Sequence, residues 1–345
     1  MNIPLLFTSD MSNTDREYIF RQASIRTGLP AYILEKDYMV CIVLTVLFED
    51  LKPQCTENTA TPFLFKGGTT LSKVFDVINR MSEDIDLSIN MRFLGFPESE
   101  EETTSARKRR VKDLLERNIN FVSSTFKSSL ESELSRVHKD FEVQLDSKES
   151  QNLIINYPQS LAGSDYVNGY IKPHILIETG GRAAFDPHIS HKVSPFILEE
   201  IRDLFKVDED CCTFVDVLDI ERTFYEKLTL LHELNHRGVE KLTSRQARHL
   251  YDLVQIYQSH PNVVTNFNLL EDVRSHKAKY FKRGTAKWEL AVPGSLLIIP
   301  PDDIKKSLID DWVKMDDMFP GGQLPFTFDE MMVVLEEINR LINNR

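Results

Sequence analysis

Phe63-Leu64-Phe65-Lys66-Gly67-Gly68-Thr69-Thr70-Leu71-Ser72-Lys73-Val74-Phe75, followed shortly by Ser82-Glu83-Asp84-Ile85-Asp86-Leu87-Ser88-Ile89, is the stretch that decides the fold. It reads as strand, tight turn, short helix, strand. Phe63 to Phe65 form a brief apolar run that stops at two adjacent glycines, which allow backbone angles closed to residues with a Cβ and let the main chain approach a ligand. Thr69 and Thr70 stand where a helix cap is expected, and Leu71, Val74, Phe75 and Ile78 recur at helical spacing. Free N–H groups at a helix start behind glycines favour an anion such as phosphate. In the second run, strand alternation sends Asp84, Asp86 and Ser88 to one face and Ile85, Leu87 and Ile89 to the core. Two neighbouring carboxylates on one face repel each other unless a divalent cation lies between them.

A phosphate-binding turn followed by a two-carboxylate strand suits metal-dependent nucleotidyl transfer. The turn would hold a triphosphate, and Mg²⁺ (or Mn²⁺) held by the carboxylates would stabilise the attacking and leaving oxygens. Taken singly, the glycines are an ordinary turn and the aspartates a solvated strand edge. Their order and their separation by one helix favour the functional reading.

The chain has 345 residues, enough for two lobes rather than one core. No apolar run approaches the roughly 20 residues of a membrane span, and the N-terminal MNIPLLF patch has neither a basic flank nor a small-residue cleavage site. Cys41, Cys55, Cys211 and Cys212 show no paired-ligand or disulfide spacing, so free thiols and a cytoplasmic location are expected. A net charge of −12 argues against broad nonspecific nucleic-acid binding. Two basic clusters stand out nonetheless. Arg107-Lys108-Arg109-Arg110 opens a helical stretch, and Lys277, Lys279, Lys282, Arg283 and Lys287 alternate with Tyr280, Phe281 and Trp288, a mixture suited to a nucleic-acid backbone and an unstacked base. A solvated helix face is the plainer account of both.

Residues 12–29 are expected to be helical, capped by Asn13 or Thr14 and ended by Pro30; residues 31–50 form a second, largely buried helix containing Glu35-Lys36-Asp37-Tyr38. Residues 97–105 are a charged loop, 106–135 a long polar helix, and 140–157 two short strands around a polar turn. In Tyr170 to Thr179 alternation places Ile171, Ile175 and Ile177 on one side and Lys172, His174, Leu176 and Glu178 on the other. After Cys212 the chain turns helical. His232-Glu233-Leu234-Asn235-His236 matches HExxH, in which two histidines one turn apart bind zinc. Arg237 and Gly238 end that helix at once, and no third ligand follows at the usual offsets. Arg248 and Asp252, four apart, can form a helical ion pair. An amphipathic helix over residues 328–343 closes the chain.

KGGTTLSKVF with NRMSEDIDLSI resembles the AbiEii/AbiGii toxin family of nucleotidyltransferases, within the DNA polymerase β-like superfamily, whose pattern is two glycines with Ser or Thr, a short helix, then two acidic residues flanking an apolar one. Met81 stands where the family more often carries Phe. Two further stretches are similar to family signatures: Glu221-Arg222-Thr223-Phe224-Tyr225-Glu226-Lys227-Leu228, with Tyr225 in place of Trp, and Arg248-His249-Leu250-Tyr251-Asp252-Leu253. The likeness runs over nearly the whole chain and accounts for His232 and Glu233 without zinc.

The resemblance implies an α+β protein: a polymerase β-like nucleotidyltransferase core with a small mixed sheet over residues 1–210, and a helical lobe over 211–345 bearing Lys227 and Asp252, with the active site in the cleft. It implies catalytic roles for Asp84, Asp86, Lys227 and Asp252, nucleotide contacts from Lys66, Gly67, Gly68, Thr69, Ser82 and Lys227, and Glu178 as a third metal ligand. Asp252 would either orient Lys227 or accept the proton of the attacking hydroxyl. The implied activity is Mg²⁺-dependent transfer of a nucleoside monophosphate from an NTP to an acceptor, RNA and specifically the 3′ end of tRNA by analogy. The implied setting is a toxin–antitoxin or abortive-infection system with a DNA-binding antitoxin encoded nearby. The competing readings are a nonenzymatic nucleotide- or RNA-binding module and the HExxH metallopeptidase.

Overall fold

The computed structural model describes residues 4–7, 10–55, 61–96, 104–166, 171–205, 212–282 and 284–344. The chain divides into two compact units, one of residues 1–74 and 82–217 and the other of residues 75–81 and 218–345.

The first unit opens with α1 (Asn13–Thr27), capped by Ser12, whose hydroxyl receives the Asp15 N–H while the Asp15 carboxylate accepts from the Ser12 N–H. The cap is therefore one residue before the expected Asn13, because the reciprocal Ser–Asp box satisfies two end groups at once. Pro30 precedes α2 (Ala31–Thr45), which continues through a wide helical turn over residues 46–51 into the short α3 (Lys52–Gln54). Nearly all of α2 is buried, its charged Glu35, Lys36 and Asp37 included. β1 (Phe63–Lys66) leads through Gly67 into α4 (Gly68–Lys73), and β2 spans Ile85–Ile89. α5 (Thr104–Phe121) passes through a second wide turn into α6 (Lys127–Val137), one helical run where a long polar helix is expected. β3 (Glu142–Leu145) and β4 (Leu153–Asn156) are the expected hairpin; β5 (His174–Gly180), β6 (His188–Val193), α7 (Leu198–Phe205) and β7 (Thr213–Leu218) follow. The strand read from Tyr170 begins only at His174, and Tyr170 lies outside the described residues, as do most of the 97–105 loop and Cys211.

The seven strands form one mixed sheet in the order β3-β4-β5-β2-β1-β7-β6. β2, at its centre, pairs antiparallel with β1 and parallel with β5. Ile85, Leu87 and Ile89 are wholly buried on one face of β2, and Ile175 and Ile177 are buried on β5. The alternation anticipated for β2 is thus realised, with one addition. Ser88 shares a face with Asp86 and is wholly buried, so the polar face is covered beyond the aspartates.

The second unit is helical: α8 (Ile220–Arg237), α9 (Ala247–Ser259), α10 (Phe267–Tyr280), α11 (Asp302–Val313) and α12 (Phe328–Asn343). Asp219 caps α8 and Gly238 ends it. Thr327 and Glu330 form a reciprocal box at the start of α12, whose bounds match the amphipathic pattern. A core of Tyr251, Trp312, Phe319 and Phe326 packs at ring separations of 5.1–5.8 Å. Residues 75–81 belong to this unit although they lie between α4 and β2 in sequence. The Tyr251 hydroxyl accepts the Asn79 N–H at 3.1 Å, and the Met81 N–H donates to the Met318 carbonyl at 2.6 Å.

Candidate active site

Gly67 turns at φ 84 and ψ −162, a combination open in practice to glycine alone. The reason is visible beside it. A Cβ at this position would lie 1.8 Å from Asp86 Oδ2 and 2.6 Å from its Cγ. The Asp86 carboxylate therefore packs directly onto the glycine bend, in space that any other residue would fill. β1 and β2 pair Lys66 with Asp86, and β2 and β5 pair Asp86 with Glu178, so a lysine, an aspartate and a glutamate form one row across three strands. Glu178 is exposed, and Asp84 and Asp86 are half-buried.

The threonines after the glycines do not cap α4. Gly67 occupies the cap position without a side-chain bond, and the Thr70 hydroxyl donates back to the Gly67 carbonyl at 2.8 Å. The Thr69 hydroxyl donates to the Asp84 carbonyl at 2.6 Å and lies 3.1 Å from Ser82 Oγ. Thr69 thus ties the first turn of α4 to the residues entering β2, a cross-link over 15 positions that local pattern could not announce. α4 is also shorter than its apolar spacing suggests. It ends at Lys73, Asp76 turns left-handed at φ 52, and Phe75 and Ile78 go to the other unit.

Among the described residues, no group of three or more His, Cys, Asp or Glu side chains is gathered closely enough to hold a metal ion by itself. The donor set nevertheless fits Mg²⁺ or Mn²⁺, which bind hard carboxylate oxygens and commonly take one or two of them together with substrate phosphates rather than an all-protein cage.

In the second unit Asp252 on α9 is wholly buried. Arg80 grips it with two bonds of 2.7 Å, Nε to Oδ1 and Nη2 to Oδ2, and Lys227 Nζ on α8 reaches Oδ2 at 2.8 Å. Burial opposes the charge, but Arg80 and then Lys227 outweigh it and hold the carboxyl well below the ordinary range. The Arg248–Asp252 pair permitted by helical spacing is thus replaced: both oxygens are engaged by Arg80 and Lys227. His249, one turn from Lys227's partner, is driven well below its usual pKa by burial, then by Lys227 and Arg248. Arg80 is the member of this cluster that sequence reasoning missed. It lies inside the quoted NRMSEDIDLSI stretch, but its partner is 172 positions away.

The first histidine of the HExxH run is engaged by backbone groups. His232 is buried, its Nδ1 accepts the Leu297 N–H at 2.9 Å, and its Nε2 lies 3.1 Å from the Lys287 carbonyl. Both ring nitrogens are spent on backbone groups, and Glu233 pairs with Arg237. Two aromatics of the basic–aromatic cluster near α10 turn inward, while Lys282 and Lys287 are exposed. Tyr280 and Trp288 are buried, Trp288 Nε1 donates to the Phe281 carbonyl at 3.1 Å, and Lys277 lies over the Trp288 ring while donating to the Glu226 carbonyl at 2.8 Å. Burial closes Tyr280 and Trp288 to base stacking, Phe281 is half-buried, and Arg283 lies outside the described residues. Lys108 and Arg109 on α5 are exposed.

Residues 55–334 match the family described as nucleotidyl transferase AbiEii toxin, type IV TA system. The chain belongs to this family. As an AbiEii family member it is a nucleotidyltransferase toxin of a type IV toxin–antitoxin system, a class that implies a cognate antitoxin. The matched span includes every AbiEii site residue expected from sequence, from Lys66 to Asp252. No curated protein matches the chain. Among the described residues no helix is long and apolar enough to cross a membrane.

Proposed function

We propose that this AbiEii toxin transfers a nucleoside monophosphate from an NTP to an RNA acceptor, with the 3′ end of tRNA as the first candidate, in the cytoplasm and under the control of an antitoxin that is itself a DNA-binding protein encoded nearby. The observation that carries the reading is the Asp86 carboxylate resting on the Gly67 bend, in register with Glu178. A backbone bend without a Cβ admits a triphosphate closely, and carboxylates at its edge are where a cation bridging that triphosphate belongs.

Asp84 and Asp86 would hold Mg²⁺ or Mn²⁺, with Glu178 as a third contributor. The bound cation would supply charge neutralisation on the phosphate oxygens. Gly67, Gly68, Lys66, Thr69 and Ser82 orient the nucleotide, Thr69 through its existing bond to the Asp84 carbonyl. The family resemblance gives Lys227 a phosphate-directed role. Of the two roles open to Asp252, orienting Lys227 is favoured, because a buried carboxylate with both oxygens bound by cations is a poor acceptor for a hydroxyl proton.

The test is incubation with each α-labelled NTP, Mg²⁺ and total cellular RNA. Labelled RNA is expected from the wild type, and none from Asp84→Ala/Asp86→Ala at unchanged fold. Label that survives the double substitution refutes the assignment. Nucleotide affinity with no product from any NTP would instead favour a nonenzymatic binding module.

A further inference from the structure

The Glu35-Lys36-Asp37-Tyr38 segment of α2 is charged yet buried, and the chemistry assigned so far makes no use of it. Lys36 Nζ donates to Glu83 Oε2 at 2.6 Å and to the Lys172 carbonyl at 2.9 Å, with the side chain 5% exposed. Glu83 immediately precedes Asp84, and Lys172 lies two residues before the start of β5, the strand carrying Glu178. One ammonium group therefore ties together the leading ends of the two parallel strands that pair Asp86 with Glu178. Burial lowers the Lys36 pKa, while Glu83 and Asp84 pull it back up, so the Asp84 charge is within its electrostatic reach.

The next residue works on the other half of the site. Asp37 pairs with Lys73, the last residue of α4, and accepts the Phe196 N–H at 2.7 Å. Lys73 also donates to the Ser194 carbonyl at 3.0 Å and lies 4.1 Å from the centre of the Phe196 ring. Burial works against the Lys73 charge, and Asp37 outweighs it. Adjacent residues on one helix thus hold the carboxylate strands and the helix that starts at the glycine bend.

Buried ion pairs of this kind add little stability over an apolar pair of similar volume. What they supply is a fixed geometry between the groups they join. We infer that Lys36 and Asp37 are positioning residues that set the separation between the glycine bend and the carboxylates of Asp84, Asp86 and Glu178. The inference rests on the metal-nucleotide reading of that site and goes beyond it by assigning what keeps the two halves in place.

The experiment compares wild type with Lys36→Arg, Lys36→Met and Lys36→Met/Glu83→Gln, the last removing both charges of the Lys36–Glu83 pair. Two readouts are taken: amide hydrogen exchange in peptides covering residues 82–89 without ligand, and the affinity for Mn²⁺ with each of the four NTPs. Both Met variants should exchange faster in residues 82–89 while the rest of the unit stays protected. Their Mn²⁺·NTP affinity should fall roughly 10–100-fold, the range for residues that hold metal ligands in place. Lys36→Arg should recover most of it. Wild-type exchange over 82–89, or wild-type Mn²⁺·NTP affinity, in the double variant overturns the positioning role, as does a uniform loss of protection throughout the unit. Failure of the wild type to bind any Mn²⁺·NTP would refute the metal-nucleotide reading instead, and the exchange result then decides the positioning role alone.

Discussion

Replacing Gly67 by alanine should disable the site at modest cost to the fold. Two independent terms act on the new methyl group. The first is conformational: φ 84 with ψ −162 lies in a region essentially reserved for glycine, and holding alanine there costs about 1–3 kcal/mol. The second is steric. The Cβ would sit 1.8 Å from Asp86 Oδ2, well inside the 3.0 Å that real Cβ atoms respect, so the carboxylate must retreat by about an ångström or the bend must open. Asp86 lies on a paired central strand, so its side chain gives way before its backbone does. A displacement of about 1 Å at a reacting centre costs on the order of 100-fold in rate. Labelled-NTP incorporation should therefore drop at least that far. The thermal midpoint should fall by several degrees, at about 2–4 °C per kcal/mol for a unit of this size. Calorimetry and the labelling assay, run on the same preparation, separate the two effects. Gly67→Ala with wild-type turnover would refute the reasoning, since it would show that the position of Asp86 against the bend is immaterial.

The buried charges of the second unit give further expectations. Asp252 has a folded pKa below its unfolded value near 3.9, so its ionised form contributes stability that is present above about pH 4 and lost as pH falls further. Asp252→Asn should cost about 3–5 kcal/mol at pH 7 by leaving Arg80 and Lys227 buried without a counter-charge. In thermal melts from pH 7 to pH 3, the gap between variant and wild type should narrow only below about pH 4. His249 is also depressed, and for a histidine this means that the unfolded chain takes up a proton first. Wild type should lose stability as pH drops below about 6.5, by at most about 1.4 kcal/mol per pH unit from this residue, and His249→Gln should remove that component. Elemental analysis should find no stoichiometric zinc. His232→Ala should lower stability by about 1–3 kcal/mol in denaturant titration, through loss of its two backbone partners.

Much of the architecture is legible in short-range pattern. Period-two alternation in residues 84–89 identifies the central strand, and the paired glycines identify the bend before α4. The apolar stripe and the Thr327–Glu330 box delimit α12. Where local reading misleads, a distant partner is the cause. Leu71, Val74, Phe75 and Ile78 carry helical spacing, but α4 stops at Lys73, and Phe75 and Ile78 belong to the helical unit. HExxH has metal-site spacing on a real helix, yet His232 is claimed by the backbone of Lys287 and Leu297. Arg248 is correctly spaced for Asp252 and loses it to Arg80, whose planar fork grips both oxygens.

From sequence alone came the family, the sheet-and-helix composition and the identity of the charged residues at the glycine bend, because those depend on neighbours within a turn or two. The folded chain alone decided which charges meet: Lys36 with Glu83 across 47 positions and with Lys172 across 136, and Arg80 with Asp252 across 172. No periodicity reaches so far. Burial is what makes these pairings compulsory, since a charge removed from water must find its partner wherever the tertiary fold has put it.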